Sequence, residues 1–168
     1  MLSKIEKIKN SQSNSSVKSA AIEALSGIGF DRWVFVSESN VNIFGFATLS
    51  SPGMWKWLLA YMGKCYQDID PVLIHCSESR EPLYWDVVQG IRCSGPRVKE
   101  FWKDVYVNGF RSGLSVPLLS YSGLKGLISI VSVQPLNVSR DHFCQHLDSV
   151  HLVGEAIHCA VERIILGK

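Results

Sequence analysis

The chain has 168 residues, 46% of them hydrophobic and 19% charged. That balance excludes a disordered chain, which is poor in apolar residues and rich in charge, and the length suits one domain with its own core. Seventeen Lys and Arg against fifteen Asp and Glu leave a net charge of +2, so no strongly basic surface for nucleic acid is expected.

In chain order, residues 1–16 are polar and lysine-bearing, and the Ser/Asn-rich stretch 10–16 reads as a loop that caps the next helix. Val17, Ala20, Ala21, Ala24 and Leu25 recur at helical spacing until Gly27 and Gly29. Residues 33–36 and 41–49 are two strand candidates rich in aromatic and β-branched residues. Trp33 and Phe35 share one face of the first, Val34 and Val36 the other, so the sheet should be covered on both sides. A helix should start at Pro96 and carry Val98, Phe101, Trp102, Val105 and Tyr106 inward up to Gly109. Residues 114–118 and 124–133 form a second strand pair around the short loop 120–123, with Pro117 marking an edge or a bulge. Leu127, Ser129 and Val131 share one face of the last strand. A C-terminal helix should start near Arg140 or Asp141, with a stripe of Phe143, Leu147, Val150, Gly154, Ile157, Val161 and Ile164. Together these elements predict an α/β fold: a three-layer α/β/α sandwich with a central antiparallel sheet of about five strands, as one domain over 1–168.

The five cysteines, Cys65, Cys76, Cys93, Cys144 and Cys159, are odd in number and widely spaced, with no CxxC pair. This fits neither a disulfide framework nor a zinc site, and free thiols in a reducing compartment are expected. The N-terminus has no signal-peptide character and no run of about 18 apolar residues occurs. A cytoplasmic protein with no membrane contact follows.

The segment 55–85 is unusual. It holds Trp55, Trp57, Tyr61, Tyr66, Tyr84 and Trp85 together with Asp68, Asp70 and Pro71. Trp57 and Tyr61 stand one helical turn apart, each an apolar ring with one polar tip, which suits a dry pocket needing few hydrogen bonds. Pro71 pushes Asp70 out of helical geometry. Position alone equally allows Asp70 to be the cap of a following helix.

Trp57, Tyr61, Asp70, Pro71, Trp85 and Gly113 have the order and spacing of the ligand-binding domain of LuxR-type quorum-sensing regulators, and the chain resembles that family over most of its length. The signature Trp-x3-Tyr-x8-Asp-Pro runs unbroken from Trp57 to Pro71. The likeness continues through 75–79, 82–85, 109–118 and 126–129. It implies a bacterial sensor for an N-acyl homoserine lactone, with no cofactor, no metal and no catalytic residue. Trp57 would donate to the lactone carbonyl, Asp70 accept from the amide N–H, and Tyr61 donate to the amide carbonyl with Ser129 as a second donor. Trp85 would wall the lactone ring. Val36, Val72, Phe101, Val105, Phe110 and Leu127 would line the acyl tail, with Val34, Leu73 and Trp102 as further candidates, although ordinary core packing is the readier account of each. Val36 and Leu127 stand where the resemblance puts smaller residues, implying a shorter or less bulky tail. Ser115 is a candidate for a polar group at position 3 of the tail. Gly113 has a backbone role or is a plain strand-entry glycine.

Two departures stand out. Two extra residues before the signature let Trp55 compete with Trp57, although spacing favours Trp57. About three extra residues around 92–95 suggest a loop at the pocket rim. The resemblance also implies a homodimer, with the C-terminal stripe either its surface or core, and DNA contact only through a helix-turn-helix domain that 1–168 does not contain. A sensor half of a longer regulator and a form that sequesters ligand or makes inactive mixed dimers both fit. An enzyme is the rival class. No GxSxG or HExxH occurs, His142 and His146 share a helix face without a third ligand, and His75-Cys76 has no arguable base–nucleophile geometry. A sensory domain for another small molecule is the remaining alternative.

Overall fold

The computed structural model describes residues 1–38 and 46–167. Its centre is a five-stranded antiparallel sheet of order β2-β1-β5-β4-β3. The strands are β1 Trp33–Glu38, β2 Phe46–Ser50, β3 Leu83–Asp86, β4 Ser112–Leu119 and β5 Lys125–Ser132. Helices α1 (Leu2–Lys9), α2 (Asn14–Ser26) and α7 (Leu136–Leu166) cover one face. Helices α3 (Trp55–Gly63), α4 (Pro71–Glu78), α5 (Val87–Cys93) and α6 (Pro96–Val107) stand over the other. The three layers read from the sequence are present.

Side chains alternate along each strand, so register decides which residues meet. Trp33, Phe35, Leu114, Val116, Ile128 and Ile130 join α1, α2 and α7 in a closed core. Val34, Val36, Trp85 and Leu127 face the other way. Val34 stands opposite Ser129 and Val36 opposite Leu127, while Ser115 stands opposite Ser129 and Gly113 opposite Trp85.

Several boundaries differ from expectation. Helix α1 was not expected; it buries only Ile5 and Ile8, too few to show as a stripe among lysines. Helix α2 begins inside the Ser/Asn stretch, where Ser13 and Ser16 form a reciprocal cap. The strand expected over 41–49 is described from Phe46 onward, and 41–45, Gly45 included, lie outside the described residues. Four-residue β3 was too short to read. Pro117 lies past the end of β3, where β4 is an edge on that side. Residues 92–95 are not a free loop: Arg92 and Cys93 close α5, whose Gly90 lies against the Trp102 indole.

Helix α7 starts at Leu136, earlier than Arg140, because extended Pro135 sets its entry and accepts from the Ser139 N–H at 3.1 Å. Its stripe is interior. Phe143, Val150, Ile157 and Val161 belong to the closed core, Gly154 is buried beside them, and Leu147 and Ile164 pack against it. A Cβ on Gly154 would stand 2.7 Å from Ile128 Cγ2, which shows how closely α7 approaches β5. The stripe is therefore occupied mainly by this chain's own core.

The closed face also holds His158, with Nε2 2.7 Å from Ser37 Oγ and Nδ1 without a partner among the described residues. Burial pushes its pKa below 6.5, against the opposing pull of Glu162, Glu38 and Glu155. The unfolded chain then binds the proton at higher pH than the fold does. Stability should therefore be full above about pH 6.5 and fall as pH drops through the folded value. Urea midpoints across that range should show the fall, and His158→Gln should flatten it. An equal slope in the variant would assign the effect elsewhere.

Candidate functional site

The face opposite α7 is not filled by side chains. Beneath α3, α4 and α6 lies a cavity of about 630 Å³, within the usual range for small-molecule sites.

Helix α3 contributes Trp57 and Tyr61, whose ring centroids are 5.8 Å apart, edge to face. Trp57 stacks on Tyr66 at 6.1 Å and 27°. Phe101 from α6 closes the cluster, 5.3 Å from Tyr66. Tyr66 is anchored from outside by Asp104 at 2.7 Å, and Lys64 holds Asp104 at 2.6 Å. Burial works against ionisation of Asp104, but the Lys64 and Tyr66 hydrogen bonds keep its carboxyl below the usual range. Trp57 is 8% exposed and Trp55 62%, so Trp57 is the tryptophan built into the site, although Trp55 reaches its rim.

Asp70 takes the cap position that its place before Pro71 allowed. It is extended and caps α4, with Oδ1 accepting from Val72 N at 2.8 Å and from Leu73 N at 3.4 Å. Its Oδ2 accepts the Tyr61 hydroxyl at 2.8 Å. Enclosure by protein pushes the Asp70 carboxyl above its ordinary range, opposed by the Tyr61, Val72 and Leu73 hydrogen bonds. Burial first, and Asp70 second, raise the Tyr61 hydroxyl well above the ordinary tyrosine range and push the Cys76 thiol up to about 12. Tyr61 thus keeps its proton, and Cys76 stays an inert thiol.

Across the cavity, β3 supplies Trp85. A Cβ on Gly113 would stand 2.1 Å from Trp85 Cζ2, so the indole lies flat on a strand that must be bare there. This brings Trp85 Nε1 to 3.0 Å from Ser115 Oγ, which is 2.7 Å from Ser129 Oγ.

Trp57, Tyr61, Asp70, Trp85, Ser129, Val36, Val72, Phe101, Val105, Phe110 and Leu127 all line the cavity, as do Val34, Leu73 and Trp102. Ser115 is fully buried behind Ser129 and is not among the lining residues, so it does not reach a tail. Sequence reasoning missed Met54, Leu58 and Val131 in the wall. Val131 could have been found, since it alternates with Leu127 and Ser129. His142 and His146 pack on Phe30, at 4.7 and 5.9 Å between centroids. No cluster of three metal-ligating side chains exists among the described residues.

The arrangement can hold an elongated apolar molecule with an amide-like head. It offers a carboxyl acceptor at Asp70, an indole donor at Trp57 and a hydroxyl at Ser129. The family model for the autoinducer binding domain matches residues 13–161. The chain belongs to that family. This autoinducer-binding domain is of the LuxR type. It is 22% identical over 152 residues to the transcriptional activator AnoR of Acinetobacter nosocomialis, covering 89% of this chain and 60% of AnoR. The chain thus spans about three-fifths of that curated relative.

Its fold is similar to that of CepR2 of Burkholderia cenocepacia, an N-acylhomoserine lactone dependent LuxR-family transcription factor. The TM-score is 0.78 at 17% identity, over 98% of this chain and 95% of that one. It is also similar to Escherichia coli SdiA, with a TM-score of 0.69 at 15% identity over 97% and 66% of the two chains. SdiA has also been solved in complex with octanoyl-rac-glycerol. At these identities the likeness shows the fold. The autoinducer-binding family is one of ligand-binding regulator domains, not of enzymes, and no described helix is long and apolar enough to cross a membrane.

Proposed function

We propose that this domain senses an N-acyl homoserine lactone, held in the cavity between the sheet and α3, α4 and α6. The observation that carries the reading is Asp70: one carboxylate oxygen is consumed by the α4 cap, and the other faces a largely apolar cavity beside Tyr61. An amide N–H is the donor that such an acceptor pairs with, and the charged partner strengthens the bond. The Trp57 indole N–H is the donor for the lactone carbonyl, and Trp85 walls the ring. Because Tyr61 gives its one hydrogen to Asp70, the amide carbonyl falls to Ser129, and Tyr61 serves chiefly to orient the carboxylate. The tail runs along Val36, Val72, Phe101, Val105, Phe110 and Leu127. No bond-making chemistry is assigned, and no cofactor or metal is needed. On this reading the domain works in the cytoplasm, pairs with a second copy, and acts on DNA through a helix-turn-helix domain outside residues 1–168.

The test is a thermal-melting screen against N-acyl homoserine lactones of graded tail length. A ligand at about one hundred times its Kd adds about 2.7 kcal/mol, a rise of roughly 5–10 °C at this size. Each methylene accommodated is worth about 0.8 kcal/mol, so the rise should peak at one length. Val36 and Leu127 face each other across β1 and β5. Leu127→Ala should therefore move the peak to longer tails; an unmoved peak would place the tail elsewhere. A second reading keeps the acyl tail and changes the head. Octanoyl-rac-glycerol bound to SdiA favours it, and a midpoint raised by that compound but by no lactone would select it.

A further inference from the structure

We propose that Ser115 is a positioning residue. Together with the Trp85 indole it fixes the Ser129 hydroxyl as a hydrogen-bond donor into the cavity, so that the cavity selects ligands with a carbonyl at that point. This rests on the reading that the cavity takes an acylated ligand.

The polarity follows from counting hydrogens. Indole Nε1–H donates and cannot accept. Trp85 therefore donates to Ser115 Oγ, at 3.0 Å. Ser115 is fully buried, and its other hydrogen-bond partner among the described residues is Ser129 Oγ at 2.7 Å. If Ser129 donated to Ser115, the hydrogen of Ser115 would be left buried without an acceptor, which is the costly arrangement. Ser115 therefore donates to Ser129. The hydrogen of Ser129 is then unclaimed among the described residues, and Ser129 is the one member of the chain of hydroxyls that lines the cavity. Each donated bond polarises the next, so the last hydroxyl is a better donor than an isolated serine.

The backbone builds this relay. Ser115 and Ser129 are direct partners across β4 and β5. The indole reaches Ser115 only because it lies over bare Gly113. The relay also relieves the double demand on Tyr61: its one hydrogen goes to Asp70, and the carbonyl donor comes from the opposite wall.

Two measurements on the full chain test it. The first needs no ligand: the Trp85 indole resonance, assigned by its loss in Trp85→Phe. Ser115→Ala should move it upfield and speed its exchange with solvent. Ser129→Ala, which does not touch the indole, should move it in the same direction. A resonance indifferent to Ser129→Ala would overturn the relay. The second compares N-octanoyl homoserine lactone with its thioamide, which keeps the N–H and weakens the acceptor. The wild type should prefer the amide about tenfold. Ser115→Ala should reduce that preference to about twofold, and Ser115→Thr, which keeps the hydroxyl, should retain it. Equal loss of affinity for both compounds would mark a packing role and sink the proposal. If neither lactone binds, the same comparison is made with 1-octanoylglycerol and 1-octylglycerol, an ester and its ether. A Ser115-dependent preference for the ester would then keep the relay and remove only the lactone head group. Absence of that preference would remove the relay itself.

Discussion

Asp70→Asn should abolish the lactone-dependent rise in melting temperature while leaving the unliganded fold at least as stable as the wild type at neutral pH. The asparagine carbonyl can still accept from the Val72 and Leu73 N–H groups that cap α4, so the helix keeps its start. Its amide group, however, presents hydrogens where the ligand N–H needs an acceptor. Losing a charge-assisted bond costs about 3 kcal/mol, or about 150-fold in Kd. The effect on the empty protein runs the other way. Enclosure raises the folded pKa of Asp70 above 3.8. The stability it contributes is therefore fully present below 3.8 and lost as pH rises through the folded value. Above that value the fold carries an enclosed anion, which asparagine removes. The two melting temperatures should converge as pH falls. Near-normal lactone affinity in the folded variant would remove Asp70 from its role, and a variant melting far below the wild type at neutral pH would refute the electrostatic argument.

Gly113→Ala should be the most damaging single methyl on the cavity side. The added carbon would stand 2.1 Å from Trp85 Cζ2, 2.4 Å from Cε2 and 2.6 Å from the Ile130 carbonyl oxygen. Strand β4 is hydrogen-bonded to β3 on one side and β5 on the other at this point, so the backbone cannot yield. The indole must leave, breaking its bond to Ser115 and opening the wall. Overpacking of this kind costs about 3 kcal/mol, a fall of roughly 6–12 °C in Tm for a chain of this length. Because the two closest approaches are to one ring, Trp85→Ala in the Gly113→Ala background should recover part of the loss, a non-additivity that a double-mutant cycle measures. Strictly additive effects would mean that the glycine is needed for something other than the indole.

The legible part of the site lay where chemistry and spacing coincide. Trp57, Tyr61 and Asp70 are fixed by helical geometry and by the proline after Asp70, and the alternation in β1 and β5 already separated Val36, Leu127 and Ser129 from the closed core. What stayed hidden depended on contacts between distant segments. The hydrogen bond from Tyr61 to Asp70 joins two residues each of which had been matched to the ligand instead. Ser115 carries the same alternation signal as Ser129, and only register and depth put one behind the other. Gly113 was ambiguous because its meaning lies in the ring of Trp85. In the fold, α1 escaped because two isoleucines among lysines make no stripe, and β3 because four residues carry no period. The α7 stripe was clear, but a stripe does not say what covers it; here it is this chain's own sheet, α1 and α2.

The sheet thus divides an interior that is complete in itself from one with a cavity of about 630 Å³ at its centre. On the proposed reading the missing portion of that second interior is the signal molecule. Receptor and signal then share one folding equilibrium. A cell's proteases, which act on chains that have opened, would clear the receptor faster when the signal is scarce. The amount of receptor present would itself become a record of how much signal had recently been there.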